Sequence, residues 1–315
     1  MTEFDLIRDL LTKVNQPGRA NAATDVSGGG AVWLGPGDDA AVIVGTRLVM
    51  STDLTVEDIH FRRSWVTFTE AGTRAVTAAA SDLAAMAATP VAVLISLAVA
   101  PEEAKAVLSE LGDGIKIALD EIGAPLVGGD LSASPGPVFM DVTVVGAADE
   151  PVTRTGSHVG DEFWVTGVLG GSAGAVRGWQ AGVEPSPNLR AAFVRPKARI
   201  EEARWLAERT QVKSMIDISD GLMGDARHLA AASGVRIVLD PSLVPVHPDL
   251  STEHALLLAM TGGEDYELGF MSPPGLVAGC AGDFQDEFGI RLTRVGHVEE
   301  GRGVEVVGDD PGGEG

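Results

Sequence analysis

The chain lacks the residues from which disulfides and soft metal centres are built. Its 315 residues include one cysteine, Cys280, so an internal disulfide and a cysteine-based metal cluster are excluded. This composition favours the reducing cytoplasm. No apolar run approaches the roughly 20 residues that a membrane-spanning helix needs. The N-terminus is acidic and has no apolar segment behind it, so we expect neither a secretory signal nor a membrane partner.

Positive charge is also scarce. Lysine and arginine total 23 against 45 aspartates and glutamates, which gives a formal net charge of −22. Nucleic acid is therefore not an expected partner, because a phosphate backbone is bound through basic surfaces. The chain contains no Gly-Lys-Ser or Gly-Lys-Thr sequence either, which excludes a P-loop.

The apolar patterning predicts an α/β fold of two lobes with mixed sheets. Residues 69–88 carry one apolar stripe at helical spacing and are followed by Pro90, which predicts a helix that ends there. Strand-like runs lie at 91–99 and 138–145, and strands and helices alternate through the second half as well. The predicted domains are residues 1–148 and 149–307, with a disordered Gly- and Asp-rich tail at 308–315.

Six short acidic motifs stand beside apolar runs. An aspartate after glycine is usually a turn residue or a helix cap, but six such motifs in one chain favour a shared ligand site at the ends of strands. The motifs are Gly37-Asp38-Asp39, Ser51-Thr52-Asp53, Ser81-Asp82-Leu83, Gly128-Gly129-Asp130, Asp217-Ile218-Ser219-Asp220-Gly221 and Gly262-Gly263-Glu264-Asp265.

Clustered carboxylates need a counter-charge. Two carboxylates 4 Å apart repel by about 1 kcal/mol even in water, and basic residues are sparse beside these motifs. Hard oxygen donors without cysteine or clustered histidine select Mg²⁺ over Zn²⁺. Such cations would let an acidic cleft bind a nucleoside triphosphate and an anionic acceptor.

Other interpretations of the same motifs fit the sequence less well. Residues 35–40 match the dinucleotide pattern GxGxxA, but a strand-like run follows instead of a helix, which argues against a dehydrogenase. Ser219 lies in a sequence similar to a nucleophile elbow that lacks its first glycine, so it is interpreted as a cap or a phosphate contact. A non-enzymatic metal-binding module is the remaining alternative. Its acids would stand at EF-hand spacing, whereas these are dispersed over more than 200 residues.

In their order along nearly the whole chain, these motifs resemble the thiamine-monophosphate kinase family. Further matching segments are His60-Phe61, Thr153-Arg154-Thr155-Gly156, Val165-Thr166-Gly167 and Tyr266-Glu267-Leu268. The acidic motifs are shared with related enzymes such as aminoimidazole ribonucleotide synthetase, which stays the alternative. The segments at 60–61 and 263–268 favour the kinase.

The resemblance implies an N-terminal metal- and ATP-binding domain that pairs its sheet with a second subunit, a C-terminal α/β domain and a homodimer. It implies ATP-dependent conversion of thiamine monophosphate to thiamine diphosphate with several Mg²⁺ ions. The implied Mg²⁺ ligands are Asp39, Ser51, Thr52, Asp53, Asp82, Asp130, Asp217 and Asp220. The implied ATP contacts are Gly129, Asp130, Arg154 and Ser219, and the implied substrate contacts are His60 and Glu264.

The acceptor in such a reaction is a phosphate monoester with a second pKa of about 6, so it is a nucleophilic dianion at pH 7. We therefore expect direct in-line transfer, with no catalytic general base and no phospho-enzyme. The sequence departs from the family in two places. No aromatic residue follows Phe288, where the family usually carries a substrate-contacting aromatic motif. Gly171 stands where relatives often have aspartate, and it is assigned no role.

Overall fold

The computed structural model describes residues 32–34, 41–43, 47–250 and 254–308, the first two ranges as strand backbone only. Asp39 and the tail after Gly308 lie outside the described residues.

The N-terminal half is a six-stranded mixed sheet covered on one face by two helices. The strand order is β1-β2-β3-β6-β4-β5, and only β4 and β5 pair in parallel among the described strands. The elements are β1 (Val32–Leu34), β2 (Ala41–Ile43), β3 (Leu48–Val56), α1 (Phe68–Ala85), β4 (Thr89–Val99), α2 (Ala104–Ile122), β5 (Leu126–Ala133) and β6 (Phe139–Ala147).

The C-terminal half contains a second six-stranded sheet of order β12-β9-β11-β7-β10-β8, in which β9 and β12 are parallel. Its strands are β7 (Glu162–Thr166), β8 (Ser214–Asp217), β9 (Arg236–Leu239), β10 (Leu268–Ser272), β11 (Leu292–Glu299) and β12 (Gly303–Val306). Its helices are α3 (Gly171–Gln180), α4 (Pro187–Val194), α5 (Ile200–Arg209), α6 (Leu222–Ser233), α7 (Ala255–Thr261) and α8 (Leu276–Phe288), with a 3₁₀ turn at Pro241–Leu243. The predicted α/β fold with two mixed sheets is confirmed. No helix in the described ranges is long and apolar enough to cross a membrane.

Helix α1 belongs to the N-terminal half and packs against elements of both halves. A capping box between Thr67 and Glu70 starts it, and most of its side chains are alanines or other small residues that are fully buried. Gly114 of α2 packs against it so closely that a Cβ there would lie 1.9 Å from the Thr69 carbonyl oxygen. The opposite side of α1 contacts α4, α5 and β8, so one hydrophobic core runs through both halves. The Ser81-Asp82 pair near its C-terminal end therefore lies at the junction.

Two strands are longer than the sequence predicts. Asp53 was expected at a strand end but lies inside β3, and Asp130 lies in the middle of β5 rather than in a loop. Polar residues interrupt the apolar runs at both places and suggest that the strands end there, yet backbone pairing with the neighbouring strand continues past them. In the second half, α4 was not predicted.

Candidate active site between the two halves

Side chains of β3 and α1 meet on the covered face of the N-terminal sheet. The Ser51 hydroxyl donates a hydrogen bond of 2.5 Å to Asp82 Oδ2. Ser51 and Asp53 are two residues apart in β3, so their side chains lie on the same face of the sheet, the one that α1 covers. This alternation brings two of the predicted metal-binding motifs together.

A carboxylate of the C-terminal half joins them. Asp217, the last residue of β8, accepts a hydrogen bond of 2.8 Å at Oδ2 from the Ser81 hydroxyl. Both side chains are buried, and 136 residues separate them in sequence. Because Ser81 directly precedes Asp82, the bond places Asp217 beside the same turn of α1. We call Asp53, Asp82 and Asp217, together with Ser51 and Ser81, the carboxylate site.

Two acidic loops of the C-terminal half lie against each other. The backbone N–H of Glu264 donates to the Ser219 carbonyl at 2.8 Å, and that of Tyr266 donates to Ile218 at 2.9 Å. A Cβ on Gly263 would lie 2.3 Å from the Ser219 carbonyl oxygen, so this close approach requires glycine. The motif at 262–265 is thereby held directly beside the motif at 217–221.

Charges converge on Asp53. Burial raises the pKa of the Asp53 carboxyl, Coulombic interactions with His60 and Arg74 oppose that rise, and the interaction with Glu264 adds to it. Arg74 Nη2 also lies 2.7 Å from Glu264 Oε1. Both predicted substrate contacts are therefore within electrostatic reach of the carboxylate site.

One group of side chains among the described residues has ligand atoms close enough to share a cation. Oxygens of Asp220 and Asp225 and a ring nitrogen of His228 all lie within 4.8 Å of one another. Asp225 also accepts a hydrogen bond of 3.1 Å from the Asp220 backbone N–H. Asp225 and His228 were not among the predicted ligands, although their i, i+3 spacing on α6, one turn after Asp220, is visible in the sequence.

The donors available suit Mg²⁺. Carboxylate and hydroxyl oxygens are the main donors in the carboxylate site and in the group of Asp220, Asp225 and His228. Among the described residues, neither site contains a thiolate. The oxygens of Asp53, Asp82 and Asp217 are not all within 4.8 Å of one another. A cation between them would therefore complete its shell with oxygens from water or phosphate.

Two predicted ligands lie elsewhere. Thr52 points to the opposite face of the sheet, where its hydroxyl donates to Asp141 Oδ1 at 2.7 Å. Strand register aligns Asp130, Ser96, Asp141 and Leu54 in one row, so Asp130 shares that uncovered face. Within one chain, the side chains of Thr52 and Asp130 therefore lie on the sheet face opposite to that of Asp53. The preceding Gly129 has φ 152°, and a Cβ there would lie 1.8 Å from the Ile95 carbonyl oxygen, so the position requires glycine.

Arg154 lies in the linker between the halves. The backbone N–H of Val152 donates to the Met86 carbonyl at 3.1 Å, and that of Met215 donates to the Thr153 carbonyl at 3.0 Å. The linker therefore passes between the end of α1 and strand β8, near the carboxylate site.

The Asp265 side chain points away from the carboxylate site. Its carboxylate accepts hydrogen bonds from the Gly170 and Ser172 backbone N–H groups at the start of α3, at 2.6 and 3.3 Å. Burial raises the pKa of Asp265 to about 7. A Cβ on Gly171 would lie 2.8 Å from Ala192 Cβ and 2.9 Å from the His247 ring. An aspartate at 171 would need those neighbours to move.

Comparison with known proteins agrees with this architecture. Residues 37–148 match the family described as AIR synthase related protein, N-terminal domain, and residues 158–309 match the corresponding C-terminal domain. These two matches together cover most of the chain, so the protein belongs to the class of AIR synthase related proteins.

Individual relatives show which family within this class the chain belongs to. A thiamine-monophosphate kinase of Mycobacterium tuberculosis is 38% identical over 248 residues, covering 75% of this chain and 74% of the relative. One from Rhodopirellula baltica is 32% identical over 283 residues, covering 85% and 84%. The structure of AaThiL complexed with AMPPCP and TMP superposes with a TM-score of 0.81 at 28% identity, covering 96% of this chain and 93% of that one. The chain belongs to the thiamine-monophosphate kinase family.

Proposed function

We propose that this protein transfers the γ-phosphoryl group of ATP to thiamine monophosphate and releases thiamine diphosphate. The observation that carries the proposal is the contact between the Ser81-Asp82 pair and Asp217, which unites dispersed acidic motifs between the two halves. The names of the relatives and the ligands of AaThiL, a nucleotide analogue and TMP, support the same reaction.

The residues divide into a phosphate side and an acceptor side. The proposed Mg²⁺ ligands are Asp39, Ser51, Thr52, Asp53, Asp82, Asp130, Asp217 and Asp220; the proposed ATP contacts are Gly129, Asp130, Arg154 and Ser219. Bound Mg²⁺ would neutralise phosphate charge and hold the phosphates in line. His60 and Glu264 are the proposed acceptor contacts, and both lie within electrostatic reach of Asp53.

The acceptor itself supplies the nucleophile. A phosphate monoester is largely a dianion at pH 7, so transfer needs no side chain that removes a proton. The contribution of the chain is to bind both substrates and to align their phosphates. Inversion of configuration at a chiral γ-phosphate would agree with direct transfer, and retention would indicate a phospho-enzyme.

We also propose a cytoplasmic homodimer that pairs the uncovered faces of two N-terminal sheets. That face carries the exposed side chains of Leu54 and Leu94, which are 50% and 38% accessible. It also carries Thr52 and Asp130, two proposed Mg²⁺ ligands whose side chains lie on the face opposite to Asp53 within one chain. The proposed domains are residues 1–148 and 149–307, followed by the tail at 308–315.

The test is direct product formation. The protein is incubated with ATP, Mg²⁺ and thiamine monophosphate, and thiamine diphosphate is quantified by chromatography after oxidation to its fluorescent derivative. Parallel reactions replace thiamine monophosphate with the amidine precursor of aminoimidazole ribonucleotide, or Mg²⁺ with a chelator. We expect product only from thiamine monophosphate with Mg²⁺. Turnover of the amidine instead would assign the related synthetase activity and overturn the proposal.

A further inference from the structure

Arg74 is a buried cation that extends from α1 towards the C-terminal half. Arg74 is only 4% exposed, and the other buried positions of α1 are mainly alanine, valine and threonine. Burial of a charge is unfavourable unless partners surround it, so its contacts indicate what the charge does. No proposed metal, ATP or acceptor contact includes this residue.

One side of the guanidinium is anchored on α4. Arg74 Nη1 donates a hydrogen bond of 2.5 Å to the Phe193 carbonyl, and the guanidinium carbon lies 4.0 Å from the centre of the Phe193 ring. The hydrogen bond fixes the end of the side chain, and the ring face adds a cation–π contact. This side of Arg74 joins the two halves.

The other side contacts the loop that carries Glu264. Arg74 Nη2 lies 2.7 Å from Glu264 Oε1, as an ion pair whose atoms are not aligned for a hydrogen bond. The guanidinium also lies 5.6 Å from the centre of the Tyr266 ring. Arg74 therefore holds the residues on both sides of Asp265.

This loop has an unfavourable backbone conformation. Glu264 and Tyr266 have φ values of 68° and 52°, in the left-handed region that non-glycine residues rarely adopt. Such conformations persist when surrounding contacts over-determine them, and they cluster at functional sites. The contacts of Arg74 with both residues are part of what maintains the loop.

We propose that Arg74 is a positioning residue for the phosphate acceptor. By holding Glu264, it keeps the acceptor side of the site at a fixed distance from Asp53, on which its charge also acts. This inference rests on the proposed function. It adds that α1 of the N-terminal half determines where the C-terminal half binds the acceptor.

A second ion pair in the same interface supplies a matched control. Arg190 of α4 makes two hydrogen bonds, of 2.6 and 2.8 Å, with the carboxylate of Glu70 in α1. This pair joins the same two helices but does not contact the loop at 262–267. Loss of either arginine weakens the junction, whereas only loss of Arg74 releases Glu264.

The experiment compares Arg74→Met, Arg74→Lys and Arg190→Met in the full-length protein. Steady-state kinetics gives KM for each substrate and kcat, and calorimetry gives the affinity for thiamine monophosphate in the presence of a non-hydrolysable ATP analogue. Loss of a contact that holds a charged binding group should raise the KM and Kd for thiamine monophosphate about tenfold or more, with kcat and the KM for ATP changed less. Arg74→Lys should recover part of the loss, and Arg190→Met should change neither constant comparably.

A double-mutant cycle with Glu264→Gln separates positioning from general stabilisation. If Arg74 acts through Glu264, the double variant binds thiamine monophosphate no more weakly than Glu264→Gln alone. If Arg74→Met does not fold, Arg74→Lys takes its place in the cycle. Additive losses, or an Arg74 variant that behaves as Arg190→Met does, would overturn this inference alone. A wild-type protein that neither binds nor phosphorylates thiamine monophosphate would overturn the proposed function and this inference with it.

Discussion

The Ser81 hydroxyl donates a hydrogen bond of 2.8 Å to Asp217 Oδ2, and this contact crosses the boundary between the two halves of the molecule. Both side chains are buried, so the carboxylate depends on protein donors for part of its solvation. The junction and the proposed metal site are therefore built from the same atoms.

Removing that donor should weaken the fold measurably. Ser81→Ala leaves a buried carboxylate short of one hydrogen bond, and we expect a loss of about 1–3 kcal/mol in the free energy of unfolding. Urea denaturation measures it. Ser51→Ala is the matched comparison, because it removes a similar bond to Asp82 at a partly buried position and should cost less. Equal stabilities for Ser81→Ala and the wild type would contradict this role of Ser81.

The carboxylates should matter for turnover more than for folding. Asp82→Asn and Asp217→Asn each remove a charge from the carboxylate site, and we expect turnover to fall by about a hundredfold or more because transition-state charge is less well neutralised. Circular dichroism should show an intact fold. Asp120→Asn, which alters only an exposed ion pair with Lys116, is the control. Wild-type turnover in both site variants would show that these aspartates are structural.

The uncovered sheet face should control assembly. Leu94→Glu places a charge within the proposed dimer interface, and we expect the dimer to dissociate because the charge would be buried there without a partner. Analytical ultracentrifugation reports the molecular mass in solution. Val183→Glu is the control, since Val183 is 61% exposed in the turn after α3, away from that face. A dimer unaffected by Leu94→Glu would place the interface elsewhere.

Asp265 should make stability depend on pH. Burial raises the pKa of this carboxyl from 3.8 to about 7, so its contribution to stability is fully present below about pH 4 and is lost as pH rises to about 7. The shift corresponds to an order of 4 kcal/mol at about 1.36 kcal/mol per pKa unit. Asp265→Asn should lose this dependence, so its stability relative to the wild type should improve between pH 5 and pH 8 in thermal melts.

The Asp249 carboxyl should make stability depend on pH in the opposite direction, and it is present in both Asp265→Asn and the wild type. Hydrogen bonds from Ser186 and Asn188 lower the pKa of its carboxyl, so its stabilisation is present above about pH 4 and is lost in acid. Parallel pH profiles for the Asp265→Asn variant and the wild type would show that Asp265 is not the titrating group.

The sequence predicted the elements whose patterns are local. Helix α1 was found because its buried stripe has helical spacing and Pro90 follows it, and the observed helix is Phe68–Ala85. The six acidic motifs could be recognised one by one, and the structure brings several of them together. Helix α4 was missed although its signal was present: Ser186 caps it and proline occupies its first turn.

The remaining features depend on contacts between distant segments. The ends of β3 and β5 follow from pairing with β6 and β4, which no local pattern reveals. Arg74 and Glu264 belong to different halves of the chain, and an arginine within an alanine-rich helix does not indicate its partner. The ligand assignments for individual residues remain predictions.

The proposed function requires that dispersed carboxylates meet and hold cations, and that these cations bind polyphosphate. The most direct measurement is Mn²⁺ binding, followed by electron paramagnetic resonance of the free ion, with and without a non-hydrolysable ATP analogue. We expect the wild type to bind Mn²⁺ more tightly with the analogue present, and Asp82→Asn and Asp217→Asn to weaken that binding about tenfold or more. Mn²⁺ binding by both variants that equals binding by the wild type would contradict this role of the carboxylates.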